Sequence, residues 1–253
     1  QTAGVDCCVL ANNHVLDFET TALRDTLDHL DDGDIPHAGA GEDRPAAFAP
    51  AIVSVGDFDV AVVSLTDNTP EYAAGTQTPG TAYVRIDSED RTTRARVSSA
   101  LARAREHDPD FVVASLHWGP NMVEEPPDSF RSFAHWLVES GVDVIHGHSA
   151  HVFQGIEVVD GHPICYDTGD FVDDYAVDGQ LRNDRSFLFE VHIDDDGTLS
   201  ALRLYPTEIG DFAVHEAGPE VAEWNRQTMR ERSGDFETTF RRAGDGLVVS
   251  LSE

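Results

Sequence analysis

The chain has 253 residues, 40% of them hydrophobic, which is enough for one sizeable core. Its 47 acidic and 17 basic residues give a net charge of −30, and every basic residue is Arg. So acidic a chain is not expected to carry a basic patch that neutralises a phosphate backbone, which argues against nucleic-acid binding, and no apolar run approaches the roughly 20 residues of a membrane helix. "VDCCVL" (5–10) reads as a short buried strand. "TTALRDTLDHLDD" (20–32) places Leu23, Leu27 and Leu30 at helical spacing. "AIVSV" and "VAVVSL" flank "GDFD", a hairpin signal. "SEDRTTRARVSSALARAREH" predicts a polar-faced helix capped by Ser88. "FVVASLHWG" (111–119) predicts a buried strand and a loop. "DSFRSFAHWLVESG" (128–141) predicts a helix stopped by Gly141. "VDVIHG" begins the next strand, at 142–145. "GIEVVDGHPICYDTGDF" reads as a hairpin turning at Asp160-Gly161. "RSFLFEVHIDDDGTLSALRLYP" is a second hairpin, "PEVAEWNRQTMRERSG" a late helix and "GLVVSL" a final strand. Helices and strands alternate early and hairpins dominate later. That order predicts an α/β fold with layered, mixed sheets, and residues 1–253 are read as one domain.

The acids are dispersed along the chain. At 1 M salt the screening length is about 3 Å, so such a surface suits a salt-rich cytoplasm or medium. The three cysteines show no disulfide framework and are read as buried free thiols, which favours a reducing compartment. A cytoplasmic location in a high-salt organism is expected. Surface anchoring through an upstream segment is the alternative, since the chain begins at Gln1 and no leader is visible. The oligomeric state is left open.

Four polar clusters follow predicted strands: "LANNHVLD" (10–17), "SLHWG" (115–119), "HGHSAH" (146–151) and "YDTGDFVDDY" (166–175). Strand-end loops on one side of an α/β sheet converge, and ligands bind there. A metal site is therefore expected. Imidazole suits zinc-like metals, and Asn13 offers an amide oxygen for a harder ion such as manganese or iron. His148 and His151, three apart, are near enough to share one centre or serve two, and His117 would approach from a neighbouring strand. His14 is read as a proton donor, with Asp17 accepting its other ring proton. His146 is read as supporting the ligands. His29, His37, His107, His135, His162, His192 and His215 are read as ordinary core or surface residues. No G-x-S-x-G elbow appears, and the GxG in "DGDIPHAGAG" does not directly follow a strand.

In combination and order, "LANNHVLDF", "HAGAGED", "SLHWG" and "IHGHSAHVFQGIEVVDGHPICYDTGDFVDDY" resemble the CapA family of poly-γ-glutamate capsule biosynthesis proteins. The likeness covers roughly residues 3 to 205, with 206–253 completing the domain. A later "RDD" of the most similar subgroup stands here as Arg182–Asp184, with Asn183 departing from it. The family is in turn similar to calcineurin-like metallophosphatases, four-layer α/β sandwiches with a two-metal centre. The resemblance implies Asn13, His117, His148 and His151 as ligands of divalent transition metals (two of Mn, Fe or Zn). It implies His14 beside the substrate and Asp17 behind it. Asn12, Trp118, His146, Asp170 and Arg182 would line the pocket or support the ligands. The family's upstream "GD" and "N-L-E" motifs are absent, so the chain is read as an N-terminally shortened member whose first strands are missing. The implied activity is metal-dependent hydrolysis of a phosphoester or polymer amide. A non-catalytic role in holding an anionic capsule polymer is the alternative.

Overall fold

The computed structural model describes residues 2–252. The chain divides into two compact units. The first runs up to Gly119 and includes Ser132–Val144. The second takes Pro120–Arg131 and everything from Ile145 onward. Both are α/β, with mixed sheets and amphipathic helices.

In the first unit β1 (Cys8–Val9) precedes α1 (Glu19–Asp32) and pairs parallel with β2 (His37–Ala38). Leu23 and Leu27 face inward from α1, against Ala40, Leu10, Val15 and Leu16. β3 (Ala40–Gly41) is followed by the single turn α2 (Arg44–Ala47), whose Asp43 cap accepts the Ala46 N–H. β4 (Ala51–Val55) and β5 (Phe58–Thr66) form the expected hairpin around Gly56-Asp57. β6 (Gly80–Thr81) pairs with β3, and α3 (Arg91–Arg105) leads to β7 (Phe111–His117). β7 lies parallel to β5 in unbroken register from Val60↔Phe111 to Thr66↔His117. α4 (Asp128–Glu139) follows, its residues from Ser132 onward belonging to this unit.

In the second unit β8 (Val144–His148) pairs parallel with β10 (His162–Cys165), which pairs antiparallel with β9 (Ile156–Val159). The β9–β10 turn is the predicted one, with Asp160 and Gly161 both at positive φ as a tight hairpin requires. A second sheet holds β11 (Arg185–Ile193) and β12 (Leu199–Gly210), with β13 (Ala213–Glu216) on β12. α5 (Pro219–Arg232) comes next, then β14 (Arg241–Ala243) and β15 (Gly246–Ser250) complete the sheet in the order β11-β12-β15-β14. Asn225 fixes α5 to this sheet. Its Nδ2 donates to the carbonyls of Ser186 and Thr207 at 2.7 and 3.2 Å.

Four expectations need correction. The 5–10 strand is only Cys8–Val9 and half-buried, because its partner β2 is two residues long and Val5 is exposed. Ser88 does not cap α3. Asp90 does, by accepting the Thr93 N–H at 2.7 Å. The strand expected at 142–145 instead runs to His148, so His146 and His148 are strand residues rather than loop residues. Of the free cysteines only Cys165 is fully buried; Cys7 and Cys8 are half-buried. Among the described residues no helix is long and apolar enough to cross a membrane.

Candidate functional site

In the first unit the polar cluster after β1 is a tight turn. Asn12 Oδ1 accepts the His14 backbone N–H at 2.8 Å. His14 Nδ1 meets Asp17 Oδ2 at 2.7 Å, the contact expected of that pair, and the imidazole remains well exposed. Nδ1 thus has a fixed acceptor in Asp17. Asn13 is half-buried between them. His117 ends β7. Its Nδ1 lies 3.3 Å from Thr66 Oγ1 and 3.1 Å from Asn68 Nδ2. An amide NH2 and a hydroxyl can both donate to Nδ1, so these two neighbours hold the ring through that nitrogen. Trp118 is 2% exposed and belongs to the core.

In the second unit β8 delivers His146 and His148, whose rings stack with centroids 5.2 Å apart. Enclosure by the protein pushes the His146 imidazole down to about 4, so it is neutral near pH 7. Thr168 Oγ1 lies 3.2 Å from its Nε2.

Beyond β8 the backbone takes positive φ at Ser149 and His151, a conformation His tolerates better than most residues. That twist turns His151 toward the loop after β10. His151 Nδ1 lies 2.9 Å from Asp170 Oδ1 and 4.0 Å from Asp173 Oδ2, and Tyr175 stacks on the ring at 4.3 Å. One donor atom from each of His151, Asp170 and Asp173 lies within 4.8 Å of the other two. Asp170 Oδ2 is buried and has no hydrogen-bond partner.

The electrostatics follow from this crowding. The hydrogen bond to Asp170 raises the His151 pKa against the opposing effect of burial. Burial, then the hydrogen bond and charge of Asp170, push Asp173 up to about 6. Beneath them Asp167 is 2% exposed. It accepts the N–H of Ala150 at 2.7 Å and of Gly169 at 2.8 Å. Burial pushes it up to about 7 despite those two bonds. One carboxylate thus ties the residue before His151 to the residue before Asp170.

Arg182 is engaged elsewhere. It grips Asp184 through two bonds of 2.8 and 2.6 Å and reaches Glu208 at 3.4 Å. Asn183, the departure from "RDD", accepts the Asp178 N–H and donates to the Ala176 carbonyl. An ionised Asp could not donate, so the amide closes this loop where a carboxylate would leave the carbonyl bare.

Residues 1–175 match the family described as bacterial capsule synthesis protein PGA_cap. The chain belongs to that family. It is 34% identical over 238 residues to a probable polyglutamine synthesis accessory protein of Mycobacterium tuberculosis, covering 90% of this chain and 62% of that one. It is 30% identical over 197 residues to the capsule biosynthesis protein CapA of Bacillus anthracis, covering 78% and 46%. It is 30% identical over 211 residues to the PGA biosynthesis protein CapA of Bacillus subtilis, covering 83% and 51%. The chain therefore spans about half to three-fifths the length of these relatives.

In this PGA_cap chain the structure brings together His151 and Asp170 from the expected residues and adds three that sequence reasoning passed over: Asp167, Asp173 and Tyr175. The acids carried a signal. "YDTGDFVDD" spaces three of them at 167, 170 and 173, and that spacing after a strand end places carboxylates within reach of one another.

Proposed function

We propose that this chain carries a metal-dependent hydrolase site of the capsule-biosynthesis type, acting on a phosphoester or on a polymer amide. The observation that supports this most is the His151–Asp170–Asp173 group. A buried carboxylate oxygen without a partner, beside an imidazole and a second carboxylate, is unfavourable unless a cation or proton meets it. One imidazole and two carboxylates are a donor set suited to manganese, iron or zinc. The residues present fit such an ion, and His151, Asp170 and Asp173 are those that would hold it in the second unit. The family resemblance also names Asn13 and His117 as ligands in the first unit, and His148 in the second. A divalent metal at such a site supplies Lewis-acid polarisation of the scissile group and lowers the pKa of water.

The chain's own groups do the rest. Asp170, 2.9 Å from His151 Nδ1, keeps that nitrogen turned toward the carboxylate pair. Asp167 holds the backbone on either side. His14, oriented by Asp17, is the assigned proton donor to a leaving oxygen or nitrogen.

A second reading is a non-catalytic protein that holds an anionic capsule polymer near bound cations. The names of the relatives favour it, since they speak of synthesis or an accessory part in it. The test begins with metal content per chain, by mass spectrometry, on protein purified in high salt without chelator. Turnover of a chromogenic phosphodiester and of a γ-linked glutamate oligomer follows. His14→Ala that keeps its metal but loses turnover supports hydrolysis. No turnover by the unaltered, metal-containing chain, with glutamate polymer still retained after His14→Ala, removes it in favour of the binding role.

A further inference from the structure

The first unit contains a pocket of about 520 Å³ lined by residues of α2, the loops beside it and α3. Three arginines line it, Arg44 from α2 with Arg96 and Arg103 from α3, and no acidic side chain does. In a chain with 47 acids and 17 arginines this is a local inversion of charge. None of the three forms an ion pair with a carboxylate among the described residues. Arg24, Arg182 and Arg226, by contrast, each hold one within 2.8 Å.

The three arginines are half-buried as residues, and each is anchored by one bond, that of Arg103 at the exposed side. Arg44 Nε donates to the Ala74 carbonyl at 3.3 Å, Arg96 Nη1 to Tyr83 at 3.0 Å and Arg103 Nη1 to Pro45 at 2.5 Å. A guanidinium carries five N–H donors, so one bond fixes its position and others remain to be used. Burial and then the Arg44 charge lower the Arg96 pKa, which places these like charges within range of each other. Asp90 opposes that effect, but its carboxylate is occupied in capping α3. Phe48 adds apolar surface to the pocket, and Thr76 and Ser99 add hydroxyls. The partly buried Arg96 cation, facing the like charge of Arg44, is less favourable in the empty pocket, and a bound anion reverses the sign.

We propose that this pocket binds an oxyanion of charge −2 or more, a phosphate or carboxylate group carried on a small body that packs against Phe48. The site is distinct from the histidine and carboxylate groups above and independent of the hydrolase reading. Planar guanidinium forks match either oxyanion bidentately, so the test uses one of each.

Titration calorimetry with inorganic pyrophosphate and with citrate, at the lowest salt that keeps the chain folded by circular dichroism, is the experiment. Saturable binding of one or both, at one per chain, is expected, and the stronger ligand names the class. Arg96→Gln and Arg103→Gln should each weaken it roughly tenfold or more, the loss typical of a charge-assisted hydrogen bond. Ser99→Leu, which fills the pocket without changing its charge, should block binding with the helix intact. His151→Ala and the remote Arg242→Gln should leave affinity unchanged. No saturable binding of either anion overturns the proposal. So does binding indifferent to the pocket variants, or binding lost in His151→Ala alone.

Discussion

Asp167 accepts the backbone N–H of Ala150 at 2.7 Å, so a buried carboxylate on one loop holds the residue next to the histidine on another. Because its second oxygen holds Gly169, removing one acceptor loosens two segments at once. Asp167→Asn keeps the shape but turns an NH2 toward one of the two amides. A loss of about 1–3 kcal/mol in stability is expected, the usual consequence of leaving a buried donor unmet. Divalent metal affinity should fall by roughly 10–100-fold, as for other residues that orient ligands. Urea unfolding and calorimetry with Mn(II) and Zn(II) measure the two effects. An unchanged affinity would mean that the brace does not govern the site.

The same residue sets a pH dependence. Asp167 is pushed up to about 7 in the folded chain from an ordinary value of 3.8. Between these values the folded state binds more protons than the unfolded one, so on this account stability falls as pH rises from about 4 to about 7. Asp173, raised to about 6, acts in the same direction up to that pH. His146, pushed down to about 4, acts oppositely between about 4 and 6.5. In metal-free protein, Asp167→Asn should remove the first contribution and tilt the melting temperature profile upward with pH. A profile parallel to that of the unaltered chain would show that Asp167 titrates normally.

His151 owes its raised pKa chiefly to Asp170. Asp170→Asn should therefore lower it toward 6.5. Titration of the His151 ring by NMR in metal-free protein follows this directly. A value that stays high would assign the shift to Asp173 instead.

Gly169 has φ +67, and a Cβ there would lie 2.8 Å from the Phe153 backbone nitrogen. Gly169→Ala should destabilise the chain by roughly 1–3 kcal/mol through left-handed strain and that clash. Urea midpoints check it. Gly179 has no such neighbour, so Gly179→Ala serves as the control.

Forty-seven acids against seventeen arginines make stability depend on salt. Raising the salt from about 0.1 to about 1 M shortens the screening length from about 10 to about 3 Å. The melting temperature should climb over that range. A flat response would dissociate the acidic surface from salt adaptation.

Much of this architecture was legible in the chain because each element carries its own local signal. The β9–β10 hairpin is readable from Asp160-Gly161, whose positive φ values this turn demands, and α3 from its polar-faced run, though not its cap. The His14–Asp17 contact was legible because three residues separate its partners. The His151–Asp170 and Asp167–Ala150 contacts were not, because they join loops nineteen and seventeen residues apart. No periodicity encodes such a distance; only the pairing of β8 with β10 sets it. The extent of β8 was misread for a related reason. Histidine has no strong strand preference, and the partner strand carries the chain through His146.

The left-handed backbone at His151 restricts what can follow it in evolution. At φ +64 the residues that sit there with least strain are glycine, asparagine, aspartate and histidine itself. Two of the three substitutes carry an oxygen donor. Drift at this position is thus channelled by chain geometry toward side chains that carry an oxygen donor, and branched or bulky replacements are screened out by the backbone alone.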